Sequence, residues 1–253
     1  MVAPRRFRVL LVTEVHGIKA LTEDQMTRYR VSFAAAVIMA ALFWLTLGAP
    51  IASADIIYSL TAGNADISGY TGPYGTVRVS LIDSTHATIT FTSLTQSGNI
   101  YLFGDGGSVA VNVNATNWTL GSITGSNDGT GFSPGSYSNG NSGNEDGFGS
   151  FNQRINSFDG FSHSADTVTF TLTNTSSGGN WASAANVLIE NDDGYAAGAH
   201  IFVTSSPADA SNGALATGYA AGGPDPVPDG GMTLMLLGGA LFALETLRRR
   251  LGA

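Results

Sequence analysis

From residue 55 to about residue 205, apolar and polar side chains alternate with the two-residue period of β-strands. The pattern is clearest in "GTVRVSLI" (75–82), "HATITFTSL" (86–94), "GSVAVNV" (107–113) and "DTVTFTLTN" (166–174). In the last, Val168, Phe170 and Leu172 face one way, and Thr167, Thr169, Thr171 and Thr173 the other. One apolar and one wetted face predict an antiparallel sheet packed on a core, and β-branched residues suit its pleat. "NIYLFG" (99–104), "NWTLGSI" (117–123), "NVLIEN" (186–191) and "AHIFVTS" (199–205) read as further strands, set apart by Gly, Asn, Asp and Ser. No segment between the two ends holds a helical period. The predicted fold class is therefore all-β: a single antiparallel, jelly-roll-like β-sandwich over residues 55–204.

Two stretches interrupt the alternation. Residues 121–152 are roughly half Gly and Ser and read as a long loop. Residues 205–226 begin as a turn-rich linker, in which "ATGYAAGG" (216–223) is a candidate edge strand. No internal repeat is present at solenoid or propeller period.

The ends follow other patterns. From Met26, Arg28 and Arg30 are followed by an apolar run (31–47), the helix breaker Pro50, and the small-x-small site Ala52-Ser53-Ala54. This predicts a signal peptide over 26–54 cut after Ala54, with an uncleaved anchor as the alternative. Met26 sits where such a peptide starts, so residues 1–25 are expected to be a non-native extension.

At the other end, Pro226, Pro228, Gly230 and Gly231 keep the chain extended and open to a membrane protease. The apolar run 232–247 follows, roughly 24 Å as a helix and short of the ~20 residues that usually span a bilayer. Arg248, Arg249 and Arg250 can snorkel to the interface and lengthen that span, with Glu245 one turn away. A signal helix and a C-terminal transmembrane helix thus flank the sandwich, with basic residues on the cytoplasmic side at both ends.

This order of parts resembles the PEP-CTERM sorting signal of Gram-negative exosortase substrates, in its VPDGG/VPDSG variant. The resemblance assigns Val227, Pro228, Asp229, Gly230 and Gly231 to the recognition motif within a sorting segment 227–253. It assigns 232–247 to the transmembrane helix and Arg248, Arg249 and Arg250 to the basic stop, while Glu245 inside the helix departs from the pattern. It implies export, an exosortase-type membrane protease as partner, and a transient hold in the inner membrane. The expected destination is the cell surface or an exopolysaccharide matrix. No catalytic residues are implied. Residues 174–203 and 216–223 resemble the body of a group of PEP-CTERM proteins of unknown function.

Charge and composition narrow the chemistry. Between residues 55 and 222 the basic side chains are Arg78 and Arg154, against thirteen Asp and Glu, with no lysine. Such a surface repels phosphate backbones, which excludes nucleic acid, and the missing lysine excludes a P-loop. Absence of cysteine removes disulfides, iron–sulfur clusters and thiolate chemistry. "GFSPG" (131–135) matches a nucleophile elbow by letter, but Pro134 follows the serine and lacks the N–H that an oxyanion hole needs.

His86, His163 and His200 share no ligand spacing, and His86 and His200 are expected as half-exposed residues at strand starts. Asp159 and Asp166 flank His163 as a candidate glycosidase pair. "NSGNEDGFG" (141–149) and "ENDDGY" (190–195) offer calcium candidates in Asn144, Asp146, Asp192 and Asp193, although Asx–Gly turns use the same residues. Asn114, Asn117 and Asn174 lie in sequons. The expectation is a non-enzymatic, exported structural protein with no cofactor beyond candidate calcium. The rivals are a surface glycosidase and a calcium-assisted polysaccharide-binding module using exposed Tyr101, Trp118, Tyr137, Phe148, Phe151 and Trp181.

Overall fold

The alternation of threonine with large apolar residues becomes the middle of a sheet. In a computed structural model, which describes residues 55–223 and 227–228, the strands are β1 (Ile56–Leu60), β2 (Ala62–Gly63), β3 (Gly75–Leu81), β4 (His86–Ser93), β5 (Thr95–Gln96), β6 (Asn99–Phe103) and β7 (Val109–Val111). They continue as β8 (Trp118–Ser126), β9 (Ser138–Glu145), β10 (Gly149–Asn156), β11 (Thr167–Asn174), β12 (Ala197–Ser205), β13 (Ala216–Gly222) and β14 (Val227–Pro228). Among the described residues the helical segments are single 3₁₀ turns, at Ala65–Ile67, Phe161–His163, Ala184–Asn186 and Ala210–Asn212. The signal peptide with Ala52 and Ala54, the extension 1–25, Asp229 to Gly231, the apolar run 232–247 and the arginine triplet lie outside the described residues. No described helix is long and apolar enough to cross a membrane.

The strands form two antiparallel sheets, as the alternation predicted. The first has the order β14-β1-β3-β4-β11-β8. The second runs β2-β13-β12-β7-β10-β9, and β12 shares its β7 side with β6, which in turn carries β5. Between the sheets lie Val77, Val79, Ile89, Phe91, Val168, Phe170 and Leu172 from the first and Val109, Ile155, Ile201 and Val203 from the second, all buried. Phe91 stacks on Phe170 at 6.3 Å and meets Phe103 edge-on at 5.9 Å. The threonines of β11 stay half-buried on the other side.

The second sheet is covered on its outer face as well. Phe148 and Phe151 pack there on Ala110 and Ala221, and Phe202 packs with Leu102 and Ala208. Burial on both faces explains why β12 reads as a nearly continuous apolar run.

Three expectations change. The Gly/Ser-rich stretch 121–152 is not a loop throughout: it holds the end of β8, all of β9 and the start of β10, and β9 and β10 form a hairpin. Most of β9 is exposed, so no apolar face is left to write an alternation into its sequence. "NVLIEN" is not a strand. Val187 and Leu188 are consecutive and both buried, Leu188 makes a single bridge to Val113, and a 3₁₀ turn precedes them. Residues 216–222 do form a strand, but β13 pairs with β12 along its whole length and with β2 on its other side.

Cutting into the shared core carries the largest penalty. By urea unfolding, Phe170→Ala is expected to cost about 3–5 kcal/mol, from lost transfer energy plus the cavity left between the sheets. Ile82→Thr, at a position 65% exposed, is expected to cost less than about 0.5 kcal/mol.

Candidate functional site

The C-terminal motif enters the fold through its first two residues. β14 adds to β1 antiparallel, with Ile57 opposite Val227 and Ile56 opposite Pro228. Proline donates nothing to a ladder and is tolerated at a sheet edge, the position it takes here. Beside it Asp55, the first residue after the predicted signal cleavage site, forms an ion pair with Arg78 of β3.

The two calcium candidate segments are brought together. Asn191 donates through Nδ2 to the carbonyls of Phe148 and Ser150 at 2.8 and 3.2 Å, tying the 190–195 turn to the β9–β10 turn. Its Oδ1 accepts from the backbone N–H groups of Asp193 and Tyr195, an Asx turn. Asp146 Oδ2 accepts from Asn64 Nδ2 at 3.4 Å, and Asn144 sits in the ladder opposite Ser150. Asp192 and Asp193 belong to the same turn, and the Asp193 carboxylate lies against Gly149. Among the described residues, no three His, Asp or Glu side chains are grouped to hold a metal ion.

Asp166 closes the end of β8: its Oδ2 accepts from the Asp128 N–H at 2.8 Å, beside a cleft of about 220 Å³ that both residues line. Asp159 is exposed next to the 3₁₀ turn at Phe161–His163. His163 Nδ1 lies 2.8 Å from the Ser133 carbonyl, which fixes the "GFSPG" segment. His86 begins β4, with Nδ1 2.9 Å from both Asp83 oxygens. Thr85 and His86 hold the Asp83 carboxyl well below the usual carboxylate range.

His200 departs from expectation, since it lies inside β12 rather than at its start. Its ring stacks on Tyr219 at 4.6 Å, its Nε2 is 2.7 Å from Thr217 Oγ1, and burial pushes its pKa down.

The aromatic residues expected at the surface are not there. Tyr101, Phe148, Phe151 and Trp181 are buried, and Trp118 and Tyr137 are half-buried against the core. The four buried rings turn inward on their strands or loops and offer no stacking platform. Tyr137 is admitted by Gly125, where a Cβ would lie 1.9 Å from its hydroxyl.

An uncharged groove lies nearby. It has a volume of about 660 Å³ between the loops around 113–116, 174–182 and 186–189, and no ionisable side chain lines it. Asn114 donates through Nδ2 to the Asn186 carbonyl at 3.0 Å, and Asn186 Oδ1 accepts from Ser183 Oγ at 2.8 Å. Each amide is thus held at one end, leaving an acceptor on Asn114 and a donor on Asn186. The Trp181 indole N–H donates to the Asn114 carbonyl at 2.9 Å and fixes the floor.

The sequence did not reveal a buried ion pair on the outer side of the second sheet. Glu145, 0% exposed at the end of β9, accepts from Arg154 Nε of β10 at 2.7 Å. Its one sequence signal is that Arg154 is one of two basic residues between 55 and 222. Gly107, with φ 68°, closes over the pair so tightly that a Cβ would lie 2.3 Å from Glu145 Oε1. Glu145 Oε2, Ser108 Oγ and His200 Nδ1 are buried without a partner.

Burial pushes the Glu145 carboxyl up to about 8, against the opposing pull of Arg154. A carboxyl raised from 4.5 to about 8 on folding stabilises the protein fully below pH 4.5, and that contribution is lost as pH rises through 8. Thermal melts of wild type and Glu145→Gln are therefore expected to move apart in the variant's favour between about pH 5 and pH 8.5. A difference that does not change with pH would contradict a raised Glu145.

No curated protein and no solved structure matches the chain. Residues 226–251 match the VPDSG-CTERM motif, with Gly230 standing where the motif's name has serine, so the chain ends in a PEP-CTERM-like sorting domain that implies export on a cell-surface or membrane-associated route.

Proposed function

We propose that the protein is an exported, non-enzymatic structural component of the cell surface or extracellular matrix. The signal peptide 26–54 starts its export, the apolar run 232–247 holds it briefly in the inner membrane, and an exosortase-type protease processes the tail. The match of residues 226–251 to the VPDSG-CTERM motif carries this reading.

The strand pairing at β1 supports it. Ile56 follows the expected cut after Ala54 by two residues, and it stands opposite Pro228, shortly before the apolar run begins at Met232. The antiparallel pairing puts the start of the domain and the start of the sorting motif at the same sheet edge. Four residues separate Pro228 from Met232, a length of chain that can span at most about 13 Å.

The intact C-terminal mass of the protein isolated from its host tests the proposal. A chain ending near Gly231 is the expected result; a chain that keeps all of 232–253 would make the segment a permanent anchor.

Association with exopolysaccharide is favoured by the groove beside Trp181. In a domain with thirteen carboxylates and two arginines, an uncharged lining that includes the free acceptor of Asn114 and the free donor of Asn186 suits a neutral, hydroxyl-bearing saccharide. The free groups sit on side chains already fixed by hydrogen bonds, so little ordering cost remains on binding. Affinity electrophoresis in gels containing dextran or alginate is expected to show retardation by the neutral polymer alone. Asn186→Ala is expected to weaken it several-fold, and a chelator to leave it unchanged. Loss of retardation in the chelator would move the site to the acidic turns at Asn144, Asp146, Asp192 and Asp193.

A further inference from the structure

We propose that two copies of the chain associate side by side through β8 and β9, extending both sheets at once around a two-fold axis along the sheet normal. The two ends of each sheet differ in how they are closed. At one end β1 carries β14 and β13 carries β2. At the other end, among the described residues, β8 pairs only with β11 and β9 only with β10. These are long edges, of 9 and 8 residues, and mostly exposed. The Trp118 indole of β8 donates to Gln153 of β10 at 3.0 Å, so both edges lie on one side of the sandwich.

Proteins usually guard such edges with charge, proline or very short strands. Here β8 and β9 contain no proline, and their one ionisable residue is the buried Glu145. The thirteen carboxylates between 55 and 222 otherwise make copies repel, so the uncharged side is where two copies approach at least electrostatic cost.

Shape selects a second copy over a lone peptide. A partner must offer two free edges separated by the sandwich spacing of about 10 Å, and a two-fold axis presents β8 to β8 and β9 to β9, each antiparallel. The two strands supply 9 and 8 residues a side. Their flanks bring this towards the roughly 20–30 of a standard interface. Register shifts interrupt each edge, between Phe170 and Leu172 opposite β8 and between Phe151 and Arg154 opposite β9. They leave Ile123 to Ser126 and Gly143 to Glu145 in regular ladders.

Sedimentation equilibrium of the full-length chain in detergent tests the interface. A dimer is expected, and it should tighten from about 20 mM to about 500 mM salt as the acidic surfaces are screened. Thr124 and Ser142 are exposed, so Thr124→Lys with Ser142→Lys should keep the melting temperature while raising the dissociation constant at least about tenfold, because like charges then face each other across the axis. Hydrogen exchange on the wild type reads the same surface without a variant: amides of Ile123 to Ser126 should slow as the dimer forms. A monomer under all conditions overturns the proposal. So does a dimer in which those amides exchange as fast as in the monomer, or one unchanged in the folded double variant.

Discussion

The register between β4 and β11 sets the position of every other strand in the first sheet. Val168 stands opposite Phe91, Phe170 opposite Ile89 and Leu172 opposite Ala87, so both strands turn their apolar residues to the same side. A slip of one residue would carry threonines into the core and phenylalanines into water, which fixes the pairing strongly. From that pair β8 takes its register on β11, β3 on β4, and β1 on β3. β14 is the last link, two residues long, and through it the described part of the sorting motif takes its register from this chain of ladders.

The second sheet answers a different requirement, since it is covered on both faces. Its outer cover comes largely from the β9–β10 hairpin and from the loops that bring Ala208 and Phe148 against it. That cover buries polar groups along with apolar ones. Glu145 and Arg154 meet beneath Gly107 and His200 stacks on Tyr219, leaving unpartnered atoms of Glu145, Ser108 and His200 inside. Folded in this way, the domain trades some electrostatic stability for closure over a sheet that would otherwise expose Phe151 and Phe202.

Charge is distributed unevenly as a consequence. The acidic residues lie chiefly in turns, where Asp83, Asp166 and Asp209 accept from nearby N–H or hydroxyl groups. The groove beside Trp181 and the exposed edges of β8 and β9 are left neutral. Those neutral regions are where contacts with uncharged polymers or with other copies cost least.

Local chemistry wrote much of this into the sequence. Alternation in 75–82, 86–94 and 166–174 determined the strands that build the first sheet, because a half-buried strand must alternate. The order of motif, apolar run and arginines determined the sorting signal, because it is read as linear sequence. The absence of cysteine, and of lysine between residues 55 and 222, removed whole classes of chemistry. Only the tertiary structure decided the rest. The strand in "SNGNSGNE" carries almost no buried side chain and so no period, and the aromatics of Tyr101, Phe148, Phe151 and Trp181 could be assigned inside or outside only once the layers had closed over them. The Glu145–Arg154 pair and the Asn114–Asn186 groove join residues on different elements, and no spacing along the chain encodes a contact that two packed strands or loops create.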